Sequence, residues 1–196
     1  MNFELAEELG ALLRADNLSG AITFAEGKLR QLAPTDFNVI LGRDLTPLSK
    51  SLCDYMDSFY QRVKKRIKVK ALYCEMNGFT INPDLWFLDA FAYDTFGGVE
   101  DFDWLADFDE ENSTDESFVI KGMEDLQAIY EEYMEKEKWK DKKQQASSDI
   151  CEMLVILRLH ELLRETVKLG RQKKMEWADV PVFVTPHEYN DLIYKA

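Results

Sequence analysis

From Phe3 to Leu13 the apolar residues Leu5, Leu9, Leu12 and Leu13 recur at helical spacing, and Ile22, Ala25, Leu29 and Leu32 repeat the pattern until Pro34 halts it. The intervening Asp16-Asn17-Leu18-Ser19-Gly20 is turn chemistry, so the chain opens with a helical hairpin. Thr46-Pro47 then makes an N-cap and first-turn pair ahead of a third stripe: Leu48, Leu52, Tyr55, Met56, Phe59, Val63 and Ile67. Cations crowd its end, at Arg62, Lys64, Lys65, Arg66, Lys68 and Lys70, where they complement the negative pole of a helix dipole. A solvated helix end and an anion site both fit that pattern.

Beyond Lys68 the period changes. Val69 to Met76 is rich in strand formers, and Asn77-Gly78 is a strong short signal for a two-residue hairpin turn, which makes Phe79 to Asn82 the expected return strand. Leu85 to Tyr93 is aromatic and long enough for a central strand, with Gly97-Gly98 closing it, and Phe118 to Ile120 adds a short one. Helical spacing returns from about Met123 to Trp139 and from Asp149 to Leu169. There Asp149 and Glu152 resemble a capping box and Gly170 is a natural stop. The run from Ile150 to Leu159 is apolar almost all round, the signature of a helix at the centre of a domain. Lys136 to Gln145, with five lysines, reads as a solvated connection. A last strand spans 180–185, with Pro181 placing it at a sheet edge or marking the start of pairing, and Leu192-Ile193-Tyr194 closes the chain.

Helices over 1–68, strands over 69–120, helices over 123–170 and a C-terminal strand predict a single α+β domain. Its antiparallel sheet, from the middle and C-terminal strands, would pack against several helices, with the N-terminal helical hairpin alongside. The longest unbroken apolar run, Met153 to Leu157, is far short of the ~20 residues a membrane span needs. The acidic N-terminus lacks the cationic start of a secretory signal, so a cytoplasmic location is expected. Cys53, Cys74 and Cys151 are odd in number, without C-x-x-C spacing, and sit in apolar or amphipathic segments, as reduced core thiols do. The two histidines, His160 in a helical run and His187 after Thr185-Pro186, complete no known catalytic or zinc motif, and no glycine-rich phosphate loop occurs. No catalytic residue, metal site or cofactor is therefore assigned from motifs.

Charge changes the picture more than composition does. The chain carries 24 basic and 37 acidic residues, a formal net charge of −13, which excludes non-specific nucleic-acid binding through overall charge. Between Ala71 and Ile120 there are thirteen acidic residues and no Lys or Arg, so the other segments sum to neutrality. Eleven of the 24 aromatics share that stretch. Concentrated like charge destabilises a fold by self-repulsion, and four readings of it stand open. The segment is a solvated acidic loop whose aromatics belong to the sheet core. Alternatively it is a face for a basic protein partner, formed by Asp101, Asp103, Trp104, Asp107, Phe108, Asp109, Glu110 and Glu111, with Phe102 as a further anchor. Or Asp101, Asp103, Asp107 and Asp109 ligate a cation, although their spacing is not that of an EF-hand. Or the chain is an uncharacterised enzyme or ligand-binding protein that uses Glu75 or Asp89 in a cleft beside the hairpin, with His187.

Tyr73-Cys74-Glu75-Met76-Asn77-Gly78-Phe79, the run Trp86 to Tyr93 and the closing Trp177-Ala178-Asp179-Val180-Pro181-Val182-Phe183-Val184-Thr185, in a small acidic α+β chain, resemble the bacterial immunity proteins of polymorphic toxin systems. The resemblance covers element order over about two-thirds of the chain. It implies a protein without an active site of its own that occludes a basic nuclease toxin, with the 94–116 segment facing it.

Overall fold

The computed structural model describes residues 3–80, 82–187, 189 and 192–196, with side chains from Leu5 onward. The helical hairpin forms as α1 (Phe3–Arg14) and α2 (Leu18–Gln31). Between them Asp16 adopts a left-handed φ of 54°, and Asn17 caps α2 by accepting the Gly20 N–H at 3.0 Å. The third stripe becomes α3 (Ser49–Val63), entered through a 3-10 turn at Thr46–Leu48. Thr46 is not a side-chain cap; Leu48 stands at the N-cap of α3, and Asp44 accepts from the Thr46 N–H at 2.8 Å.

The sheet has five strands: β1 (Ala71–Met76), β2 (Phe87–Tyr93), β3 (Phe118–Val119), β4 (Val182–Pro186) and β5 (Tyr194–Lys195). Their order is β3-β2-β1-β4-β5. All pairs are antiparallel except β1 with β4, which run parallel with Leu72 beside Val182 and Glu75 beside Thr185. β4 is thus interior rather than marginal, and Pro181 precedes it, its carbonyl accepting the Leu72 N–H at 2.9 Å as pairing starts.

The expected Asn77-Gly78 hairpin does not form, and Phe79–Asn82 is not a return strand, Ile81 itself lying outside the described residues. Asn77 instead spans the mouth of a wider connection. Its Oδ1 accepts from the Phe87 N–H at 2.8 Å, and its Nδ2 donates to the Leu85 carbonyl at 2.9 Å. Phe79 is thereby freed to enter the core, edge-on to Trp86 and Tyr189. Burying that ring outweighs the few ladder hydrogen bonds a tight hairpin would add.

α4 (Glu124–Glu135) precedes α5 (Lys142–Gln172), which starts earlier than the Asp149–Glu152 pattern indicates. Asp141 is its cap, accepting from the Lys143 and Gln144 N–H groups. Part of the lysine-rich connection is therefore the exposed first turns of a helix. α5 is the buried axis, as its all-round apolarity predicts, packing on α2, α3 and β4. Arg158 of α5 reaches Glu26 of α2 at 3.1 Å with both side chains largely buried. Burial alone would raise the Glu26 carboxyl, yet the Gly42 N–H, Arg30 and Arg158 together hold it below its ordinary value.

Leu72, Cys74, Met76, Leu88, Ala90, Ala92, Val182 and Val184 point from the sheet into this helical core. Burial pushes the Cys74 thiol up to about 12, and Cys53 and Cys151 are likewise buried and free, the condition of inert core thiols. Among the described residues no helix is long and apolar enough to cross a membrane.

Gly170 of α5 packs closely against the 3-10 turn at Glu176–Asp179. A Cβ there would lie 2.7 Å from Trp177 Cζ2 and 2.9 Å from the Ala178 Cβ. Glycine to alanine within an exposed helix normally stabilises by about 1 kcal/mol. At Gly170 the sign reverses, because Trp177 is fully buried and has nowhere to move. Gly170→Ala should lower stability by about 1–3 kcal/mol in urea unfolding, and a stabilised variant would show that the contact yields.

Candidate functional site

β1 and β2 alternate, so residues two apart share a face. Opposite the helices the sheet presents Tyr73 and Glu75 of β1, Phe87, Asp89, Phe91 and Tyr93 of β2, and Phe183 of β4. In register, Tyr73 lies beside Phe91, and Glu75 beside Asp89. The two carboxylates are direct cross-strand neighbours, an arrangement that like charges destabilise. Asp89 accepts from the Ser117 hydroxyl at 2.7 Å.

The acidic segment folds over this face as a flap, through short 3-10 turns at Asp103–Ala106 and Glu110–Asn112. Its aromatics and acids part company there. Phe102, Trp104 and Leu105 turn inward to build a second core with Ala71, Tyr73, Tyr93, Phe183 and Ile193. Trp104 meets Tyr93 edge-on at 5.0 Å and Phe183 at 5.8 Å. The Tyr93 hydroxyl donates to the Leu105 carbonyl at 2.7 Å, and burial pushes this phenol well above its ordinary value. Trp104 also presses on Gly97, where a Cβ would come within 2.4 Å of the indole. At its far end the flap joins the sheet. Ser113 bridges to Phe91, and the Thr114 N–H donates to the Ala90 carbonyl at 2.9 Å.

Of the face expected for a partner, Asp101, Asp103, Asp107, Asp109 and Glu110 are exposed. Asp101 and Asp109 also brace the flap, accepting from the Asp103 and Glu111 N–H groups at 2.9 Å each. Glu111 pairs with Arg66 of the same chain, and Asp115 with Arg62 at 3.3 Å. Two cations of the basic helix end thus find anions of the flap. Trp104 and Phe102, expected as surface anchors, are half-buried and pack against the second core. Phe108 remains outward. It is 45% exposed while packing on Phe91 at 4.7 Å, and Phe96 and Val99 stand similarly exposed at 44% and 46%. Asp101, Asp103, Asp107 and Asp109 do not make a metal centre: among the described residues no group of three or more His, Cys, Asp or Glu could hold an ion.

Between flap and sheet runs a groove of 760 Å³, lined by Tyr73, Glu75, Phe91, Asp101, Phe108 and His187 among others, within the usual size of ligand sites. A second hollow of 220 Å³, sharing Glu75, Phe91 and His187, extends it towards Asn77, Phe87 and Asp89. His187 follows β4 directly. Its backbone N–H donates to the Met76 carbonyl at 2.8 Å, and its Nδ1 stands 2.6 Å from Glu75 Oε1. A carboxylate only accepts, so Nδ1 carries the proton in that bond. The sequence reading that sets Glu75 or Asp89 with His187 in a cleft beside the hairpin groups residues that the parallel β1–β4 register brings to one place. Tyr73 and Phe91, the groove's aromatic floor, went unmarked, although the period-2 alternation around Glu75 and Asp89 already puts them on that face.

An imidazole oriented by a carboxylate resembles the base of a hydrolase, which needs a nucleophile and oxyanion donors as well. The described residues lining the groove include no Ser, Thr, Cys, Lys or Arg. What the groove offers a visitor is aromatic surface and negative charge. Comparison with protein-family models, curated proteins and solved structures finds no match for this chain.

Proposed function

We propose that the protein is a binding module whose flap docks a basic protein partner, in the manner of an immunity protein that covers a cationic toxin. The observation that carries this reading is the sorting of the acidic segment: aromatics anchor it inward, while Asp101, Asp103, Asp107 and Glu110 face solvent around the exposed rings of Phe96 and Phe108. Carboxylates at a rim steer a basic partner and raise its association rate, and half-exposed aromatics among them are the kind of residue that carries binding energy.

The test is capture of partners from cell extract, followed by association kinetics with the partner recovered. Asp103→Asn, Asp107→Asn and Glu110→Gln together leave the flap's own hydrogen bonds untouched. They should slow association about tenfold at low salt and flatten its salt dependence, with dissociation changed little. A recovered partner whose association rate and salt slope survive the triple substitution would refute the docking face.

A further inference from the structure

We propose that the groove beneath the flap receives an arginine of the partner, its guanidinium lying on the Phe91 ring, which the buried Tyr73 backs, with its N–H groups turned to Glu75 and Asp101. This deepens the docking reading and rests on it.

Three independent features converge on this occupant. The first is unbalanced charge. Glu75 and Asp89 sit side by side across β1 and β2, with Glu100, Asp101 and Asp103 on the wall above, and no Lys or Arg is among the described residues lining either hollow. Three cations of the neighbouring helix end are paired elsewhere, Arg62 with Asp115, Lys64 with Glu176 and Arg66 with Glu111. The second is the floor. Tyr73 and Phe91 stack at 5.9 Å with ring planes 28° apart, and Phe108 closes on Phe91 from the flap. A planar, weakly hydrated guanidinium lies flat on such rings and reaches carboxylates with its edge, whereas an ammonium acts as a compact, strongly hydrated point charge.

The third is one present partner of Glu75, whose carboxylate also interacts with the Tyr73 hydroxyl. His187 already donates one N–H to that carboxylate, from a half-exposed position at the end of β4. A guanidinium offers two N–H groups in the same direction and would take over the place His187 holds. Because Glu75, Phe91 and His187 border both hollows, an arginine entering past Phe108 meets the whole constellation at once.

The experiment is an NMR titration of the full chain with N-acetyl-arginine amide, following the His187 imidazole and the Phe91 ring. N-acetyl-citrulline amide serves as the neutral isostere and N-acetyl-lysine amide as the cation without a plane. The arginine amide should shift both sets of resonances with millimolar affinity, the lysine amide less, and the citrulline amide not at all. Glu75→Gln should weaken the arginine amide about tenfold while leaving the amide spectrum of the helical core unchanged. Phe91→Leu should remove the preference for arginine over lysine. Equal response to citrulline, no response to arginine in the tens of millimolar, or full binding by Glu75→Gln would each overturn the proposal. Those results leave the flap test standing, since Asp103, Asp107 and Glu110 are substituted there and Glu75 is not.

Discussion

Acidification below pH 6.5 should unfold this protein through His160. The ring is fully buried on α5, stacked on Tyr194 at 4.8 Å with planes 15° apart. Burial is the dominant cause that drives its imidazole down to about 3 from 6.5; the nearby Arg164 charge adds to it, and together they outweigh a backbone contact at Leu192. Between those values the unfolded chain takes up a proton that the folded chain refuses. Stability from this group is therefore complete above pH 6.5 and falls as pH drops towards 3, by about 1.4 kcal/mol per unit. Glu152 works in the opposite direction. Burial raises its carboxyl even though the Tyr189 hydroxyl donates to it, so it adds stability as pH falls. The difference between the native chain and His160→Leu cancels that contribution. Urea unfolding at half-unit steps from pH 7.5 to pH 4.5 should show the variant losing the His160 slope, whatever its constant offset from the lost stacking. An imidazole resonance of His160 that titrates near its ordinary value in the folded native chain would refute this account and needs no variant at all.

The second large effect belongs to the flap. Trp104→Ala should undock its first half and leave the helical core folded. The indole is the piece that Gly97, Tyr93, Phe96 and Phe183 all touch, and removing it costs about 2–3 kcal/mol of local docking. Local opening of the stretch around 97–106 should rise roughly 30- to 150-fold in hydrogen exchange. Residues 113–120 should stay protected, because the Ser113–Phe91 bridge, the Thr114 hydrogen bond and β3 hold them to β2 without Trp104. Exchange that accelerates uniformly across α5 as well would mean that flap and core form one cooperative unit.

These two effects also mark what the chain discloses unaided. α3 and the buried course of α5 are legible because each rests on local spacing, and the element order that gives the α+β class follows from them. The start of α5 is misjudged because Asp141 caps it from within a lysine-rich stretch that carries no apolar stripe. The Asn77-Gly78 turn is misjudged because a local turn signal competes there with a distant reward, the burial of Phe79 against Trp86. For the site, the acidic positions are plain from composition, yet which aromatics face inward depends on the sheet beneath them. Trp104 and Phe108 are four residues apart with similar neighbours, and only Phe183 and Tyr93 decide that one is packing and the other surface. The Glu75–His187 contact is the least local of all, since it exists only through the β1–β4 register.

That register has a consequence for how the molecule comes into being. β1 and β4 are more than a hundred residues apart in the chain, and the pair lies at the middle of the sheet rather than at its margin. Pairing of such high contact order is slow, since a long loop must close before any hydrogen bond rewards it. Until β4 arrives, β1 keeps one bare edge, rich in Leu72, Tyr73 and Met76, of the sort that invites association with other chains. Synthesis presents β1 early and β4 late, so the nascent chain passes through an interval in which its helices can pack and its β1–β2 pair can form while the sheet stands open. The docking of β4 ends that exposure and, in the same event, carries His187 to Glu75, so the groove is completed by the step that also removes the risk of aggregation.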